Sequence, residues 1–257
     1  MIRFLLFILA ISSLISCASK NTHNKELTIV SYNIRHGQGM DGLVDIKRTA
    51  TVLELLDADL IALQEVDKFC PRSGNIHIAK ELAKLLGMEF HFEKFMDYQG
   101  GEYGMAVLSR FPIEKTIRHQ LPKGTEPRCA LEIQVKVPAI NNLLSFICIH
   151  NEWRKGDARK AQVKTLLDAI NHYHHPTILA GDFNATPDDP SIALLKNTSW
   201  LIMNKSGEKT YPSHKPEKEI DFIMSRNLND KSASHFVVNE QVASDHRPIV
   251  AEIHFEK

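Results

Sequence analysis

The sequence predicts one α+β domain with many buried strands. Three observations lead there. The chain has 257 residues, 43% of them hydrophobic and 24% charged. That balance suits a single sizeable core and disfavours both disorder and a membrane bundle. Apolar runs of strand length alternate with segments of helical periodicity. No Pro/Gly-rich linker, low-complexity block or short repeat divides the chain.

The elements follow in order. The opening segment "MIRFLLFILAISSLISC" carries one arginine, a short apolar stretch and then small residues. It is short for a membrane-spanning helix and reads as an export signal. "LISC", residues 14–17, resembles the bacterial lipoprotein signal, which is cleaved before Cys17 so that its thiol carries lipid. We expect residues 1–16 to be a signal peptide and 17–25 a lipidated cysteine and tether. Residues 26–257 then form the one folded domain. The expected location is the outer side of a bacterial cell envelope, outer membrane or surface, with the membrane as partner through the anchor.

"LTIVSYNI" and "DLIALQEV" read as strands. Between them Ile46, Ala50, Leu53 and Leu56 share one helical face, with Asp45 as N-cap. "NIHIAKELAKLLG" is a helix that Asn75 caps and Gly87 ends. "GMAVLSRFPI", residues 130–137 and "LLSFICIH" are strands. Val163, Leu166, Leu167 and Ile170 make the inward face of a helix. "TILAGDFN" is a strand, followed by a helix with Asp189 as cap and Pro190 at its first position. "EIDFIMS" and "PIVAEIHF" are the last strands. Cys70, Cys129 and Cys148 match no zinc spacing and read as small buried hydrophobes.

Lys+Arg and Asp+Glu each number 31. A dedicated nucleic-acid binder shows a basic excess, so none is expected as partner, and the chain is expected to act as a monomer.

Several apolar strands end in a polar group: Asn33, Glu65, His150, and Asp182 with Asn184. Asp221 lies within an apolar stretch, and Asp245 and His246 stand just before the final strand. Each alone has an ordinary explanation as a turn residue, cap or satisfied core histidine. Together they form a hard, oxygen-rich donor set without cysteine, which favours Mg²⁺ or Mn²⁺ over zinc. Carboxylates to take a proton from water, with histidine and asparagine to donate to phosphate oxygens, suit hydrolysis of a phosphate ester.

The blocks "SYNIRHG", "LIALQEVD", "YGMAVLSRFPI", "ILAGDFNATP", "EIDFIM" and "SDHRPIVAEI" occur in one order across almost the whole mature chain. In that order they resemble the endonuclease/exonuclease/phosphatase superfamily, the deoxyribonuclease I-like fold. The resemblance implies a four-layer α/β/β/α sandwich with two packed, mainly antiparallel sheets. It implies Glu65 as main metal ligand with Asn33 beside it and Asp245 near the metal. Asp182 would orient or deprotonate the attacking water. Asn184 and His150 would stabilise the pentacovalent phosphorus, and His246, oriented by Asp221, would contact the phosphate. A carboxylate raises the pKa of its histidine and fixes the tautomer.

Arg72 and Arg128 resemble positions that the subgroup fills with arginine and are candidate substrate contacts, weighed against surface ion pairs. Tyr103 and Trp153 are further candidates, and Glu102 a possible support for His150. Thr210 and Tyr211 resemble the loop before "IDFI". Where relatives carry "THLD", this chain reads "ICIHNEWRKGD", so no relative's substrate transfers directly. Met105 replaces a polar residue of the family. His172, His174 and His175 read as a solvated helix end. The expected function is an Mg²⁺-dependent phosphodiesterase or phosphatase acting on a small or lipid-derived ester. A nuclease and a non-catalytic binding lipoprotein are the alternatives.

Overall fold

A computed structural model describes residues 26–255 apart from 141, 204–206 and 229–231. Residues 1–25, where a signal peptide, a lipidated Cys17 and a tether are expected, lie outside the described residues. In chain order the elements are β1 (Glu26–Asn33), α1 (Ile46–Leu55), β2 (Leu60–Lys68), α2 (Ile78–Leu86), β3 (Glu89–Tyr98), β4 (Gly101–Ser109), β5 (Ile113–Gln120) and β6 (Cys129–Lys136). There follow β7 (Leu143–His150), α3 (Gly156–Ile170), β8 (Thr177–Asp182), α4 (Pro190–Lys196), β9 (Leu201–Ile202), β10 (Asp221–Arg226), β11 (Ser232–Val237) and β12 (Ile249–His254).

The strands form two six-stranded sheets, ordered β11-β12-β1-β2-β4-β3 and β5-β6-β7-β8-β10-β9. The central strands are apolar on both faces because both faces are covered. Leu27, Ile29, Leu131, Phe146 and Ile178 fill the space between the sheets. Val30, Ile61 and Leu63 face outward onto α1 and α2, and Ile147, Ile149 and Leu179 onto α3 and α4. The result is the four-layer sandwich.

Each sheet holds one parallel pair, β1 with β2 and β7 with β8; the other pairings are antiparallel. The parallel pairs decide where the site lies, because their carboxyl ends meet at one end of the sandwich.

The helix ends obey local rules. Asp45 caps α1 by accepting from Arg48 N, Asp189 caps α4 with Pro190 at the first position, and Gly87 ends α2 in the left-handed region. One cap differs from expectation. His77 Nδ1, not Asn75, accepts from Lys80 N at the start of α2, and Asn75 takes a left-handed turn before it. Cys70, Cys129 and Cys148 are buried and free. Met105 is fully buried between the sheets, so it serves packing. Among the described residues no helix is long and apolar enough to cross a membrane.

Candidate active site

The four strands of the parallel pairs deliver their polar ends together. Asn33 closes β1 and His150 closes β7. His150 and Asp182 are register partners across β7 and β8, and Asp221 at the start of β10 is the partner of Asp182 on the other side. Asp182, His150 and Asp221 are therefore set side by side by backbone pairing before any side-chain contact forms.

Glu65 needs a further device. Between β2 and β4 the register steps from Gln64–Met105 to Val66–Gly104, leaving Glu65 as a bulged residue. Its φ is 58°. A non-glycine residue there costs roughly 1–3 kcal/mol, and such strain is characteristic of sites that re-aim a side chain. Leu63 and Val66 both face the outer core, so the bulge absorbs the odd residue and turns the carboxylate toward the catalytic end.

Asn33 joins the two sheets. Its Nδ2 donates to Glu65 Oε1 at 3.2 Å and to Asp182 Oδ2 at 3.1 Å, while its Oδ1 accepts from Arg35 N. As placed, Asn33 bridges two carboxylates by hydrogen bonds. Asp182 is further held by the backbone N–H of Asn184, which donates to Oδ1 at 2.8 Å. The left-handed φ of Asn184, 50°, makes that return possible. Asn184 Nδ2 donates to Asn151 O.

The two histidines are set oppositely. His246 Nδ1 donates to Asp221 Oδ2 at 3.0 Å, and its Nε2 stands 3.7 Å from Asp182 Oδ2. Thr210 Oγ1 donates to the same Asp221 oxygen. Burial disfavours the charged ring, but Asp221 and Asp182 outweigh it and lift the pKa of His246 to about 10. His150 Nε2 lies 3.6 Å from Asp182 Oδ2. Burial, then Arg128 and His246, hold His150 well below the usual range, so it is neutral. Burial lifts the Asp182 carboxyl to about 7 despite the attraction of His246. Burial also raises Glu65, with Asp245 adding to the effect.

Two carboxylate groups could hold a cation. Asp182, Asp221 and His246 have ligand atoms within 4.8 Å of one another. Asp221 is already occupied by Thr210 and His246, so this trio reads as a hydrogen-bonded relay. Among the described residues Glu65 accepts a hydrogen bond from Asn33 only and repels Asp245 electrostatically. A cation beside Glu65 relieves that repulsion, and all-oxygen donors fit Mg²⁺ or Mn²⁺. Asp245, 3.7 Å from Arg35 Nε, lines the same cleft.

The profile of the Endonuclease/Exonuclease/phosphatase family matches residues 30–246. The chain belongs to this family. Family members are generally hydrolases of phosphate esters. Among curated proteins the chain resembles the uncharacterized protein YbhP of Escherichia coli (strain K12), 26% identical over 215 residues, covering 77% of this chain and 84% of that protein. Among solved structures it resembles an endonuclease/exonuclease/phosphatase from Beutenbergia cavernae DSM 12333, with TM-score 0.74 and 21% identity, covering 90% of this chain and 72% of the other. It also resembles a mannosyl-6-phosphatase of Bacteroides thetaiotaomicron VPI-5482, with TM-score 0.70 and 20% identity, covering 89% and 100%. At these identities the structural likeness shows the fold.

Arg72, Arg128, Tyr103 and Trp153 also reach the cleft. A cavity of about 670 Å³ is lined by Glu65, Asp182, Asn184, His150, Asp245 and His246, together with Arg72, Arg128, Tyr103 and Trp153. Asp221 stands behind His246 and outside the lining, as a residue that orients it should. Arg72 makes an ion pair and also lines the cleft. Its Nε and Nη2 grip buried Asp67 at 2.7 and 2.8 Å, and its guanidinium stacks on Tyr98 and Tyr103 at the cleft wall. Trp153 is half exposed, with Arg154 stacked on it.

Two expectations are corrected. Glu102 does not support His150: it pairs with Lys68 of β2 and Lys94 of β3, and among the described residues His150 Nδ1 has no hydrogen-bond partner. His175 is not merely solvated, because its Nε2 bonds Ser145 Oγ at 2.8 Å, next to buried Glu132. Sequence reading passed over Ser244, whose Oγ donates to Asn33 O at 2.7 Å and ties the "SDHRP" loop to β1. It also passed over Glu126 and Arg159 in the cleft lining. A serine beside "DHRP" was the available signal; Glu126 and Arg159 offered none, being ordinary loop and helix charges.

Proposed function

We propose that this chain is an Mg²⁺- or Mn²⁺-dependent phosphoesterase that hydrolyses a small phosphate ester by attack of an activated water. One observation carries the reading: a buried carboxylate, Asp182, lies within 3.7 Å of two histidines held in opposite protonation states. A metal at Glu65 and Asp245, when bound, supplies Lewis-acid polarisation of a phosphoryl oxygen.

The remaining roles belong to the chain's own groups. Asp182, with its pKa lifted to about 7, accepts a proton from water at near-neutral pH. His246, kept as imidazolium by Asp221, donates Nε2–H to a phosphoryl oxygen. The second N–H of Asn184 and the Nε2 of His150 stabilise the crowded phosphorus centre. Asn33 holds Glu65 and Asp182 at a set separation.

Cleft size supports a small ester, since about 670 Å³ falls in the range of small-molecule sites. The equal charge count supplies no general grip on a polyanion. We further propose export and lipid anchoring through Cys17. β1 begins at Glu26 at the end of the sandwich opposite Asn33, roughly 23 Å away. Attachment through Cys17 would then enter the domain at the end away from the cleft, which favours a soluble ester over a lipid of the anchoring leaflet.

The test is turnover of 4-nitrophenyl and bis(4-nitrophenyl) phosphate with Mg²⁺ or Mn²⁺. Asp182→Ala abolishes turnover, and Glu65→Gln weakens Mg²⁺ binding by calorimetry roughly 100-fold, in line with losing a charged ligand. Equal turnover by wild type and Asp182→Ala overturns the mechanism. Metal binding without turnover of any ester points instead to a binding protein.

A further inference from the structure

Arg128 is a charge the catalytic roles above leave unused. Its side chain is 2% exposed, and it lines the cleft. Its guanidinium lies over the Phe95 ring at 4.9 Å, and that ring is 6.2 Å from His150. Nη2 pairs with Glu126 Oε2 at 2.9 Å. Nε and Nη1 are buried with no acceptor among the described residues. A guanidinium taken out of water normally has its donors filled, so this one is only partly compensated.

Glu126 is placed to leave. Its side chain is 33% exposed. The loop that carries it is pinned one residue earlier, where Thr125 N and Oγ1 donate to buried Glu152 at 2.5 and 2.8 Å. The carboxylate can therefore swing to solvent without the loop unfolding.

We infer that the Glu126–Arg128 pair is a latch opened by a phosphate monoester, whose terminal phosphate displaces the Glu126 carboxylate and is then held by Arg128. The inference rests on the phosphoesterase reading of this cleft and names its substrate class. A phosphodiester carries one negative charge, so replacing Glu126 exchanges like for like. A monoester above about pH 7 carries close to two charges, on three non-bridging oxygens. It brings more charge to the guanidinium than Glu126 does, and enough acceptors to reach the donors Glu126 leaves empty.

The experiment is calorimetric binding of inorganic phosphate and of dimethyl phosphate at about pH 8 with Mg²⁺, to wild type, Glu126→Gln, Arg128→Gln and Arg128→Lys. Wild type binds inorganic phosphate tighter by roughly 30-fold, equivalent to about 2 kcal/mol. Glu126→Gln removes the competing anion and strengthens dimethyl phosphate more than inorganic phosphate, so the ratio narrows. Arg128→Gln loses the discrimination. Should that variant fail to fold in a thermal melt, Arg128→Lys decides, since a point charge without the planar fork narrows the ratio at least roughly threefold. An undiminished ratio in the Arg128 variants, or weaker binding of both anions by Glu126→Gln, overturns the latch. Ester turnover without anion discrimination refutes the latch and spares the hydrolase. Discrimination without turnover does the reverse.

Discussion

Replacing Asp182 by Asn is expected to make the metal-free protein more stable while removing its activity. Burial lifts the Asp182 carboxyl from its ordinary 3.8 to about 7. A group whose folded pKa is raised favours folding fully only below its unfolded pKa, and that contribution is lost as pH rises through the folded value. Wild type therefore loses stability between about pH 4 and pH 7. At 1.36 kcal/mol for each tenfold step, the displacement amounts to roughly 4 kcal/mol. Asn carries no charge and escapes this penalty, but it has one acceptor where Asp has two. Oδ2 now accepts from Asn33 Nδ2 and Oδ1 from Asn184 N. One of those donors will face an NH₂ group, at a cost of about 1–2 kcal/mol. The net gain is about 2 kcal/mol. For a domain of this size that raises Tm by roughly 4–8 °C. The assay is thermal melting with EDTA across a pH series, with turnover measured in parallel. The variant gains near pH 8 but is less stable than wild type by about 1–2 kcal/mol near pH 4, where only the mismatched donor is left, and its kcat falls by about three orders of magnitude. Mg²⁺ narrows the gap in Tm, because the cation stabilises the charged site of wild type. A variant that melts at or below wild type in EDTA near pH 8 refutes the reasoning.

Two further outcomes follow from geometry elsewhere. Gly181→Ala places a Cβ 1.9 Å from Ile149 O, on the neighbouring strand. Backbone cannot yield cheaply there, so stability falls by about 3 kcal/mol or more and turnover falls with it, since Asp182 is the next residue; an unchanged melt contradicts the close approach. Glu152→Gln weakens bonds from Thr125, Arg154 N and Lys155 N and costs about 2 kcal/mol near neutral pH. Burial pushes the Glu152 carboxyl up, but these bonds outweigh it and leave it below 4.5. Its contribution is therefore present above that pH and lost as pH falls, and urea titrations in a pH series should show this acid limb in wild type only.

The eight strands legible in the sequence are β1, β2, β4, β6, β7, β8, β10 and β12. These are the eight interior strands of the two sheets. The four that reading the sequence did not find, β3, β5, β9 and β11, are the four edges. The reason is burial. An interior strand here is covered on both faces and reads as a continuous apolar run. An edge strand such as β5, "IEKTIRHQ", is mostly exposed and carries charges that discourage pairing with another chain. Its strand state comes from its neighbour's open hydrogen-bonding groups.

The site divides in the same way. Sequence by itself determined the identities and order of Asn33, Glu65, His150, Asp182, Asn184, Asp221, Asp245 and His246, because each ends or adjoins a strand that apolar patterning makes visible. It also determined the caps at Asp45 and Asp189, which depend on neighbours within a few residues. Only the tertiary structure decided which charges meet. Asp221 and His246 are 25 positions apart, and Asn33 and Asp182 149 apart. Glu102 found Lys68 and Lys94 instead of His150, and Arg128 came to rest against Phe95 with Nε and Nη1 unfilled among the described residues. Local patterning records what a residue does with its near neighbours and with water. Protonation states, the bulge at Glu65 and the opposed charges of the two histidines arise from desolvation and from groups brought together by two sheets closing on each other.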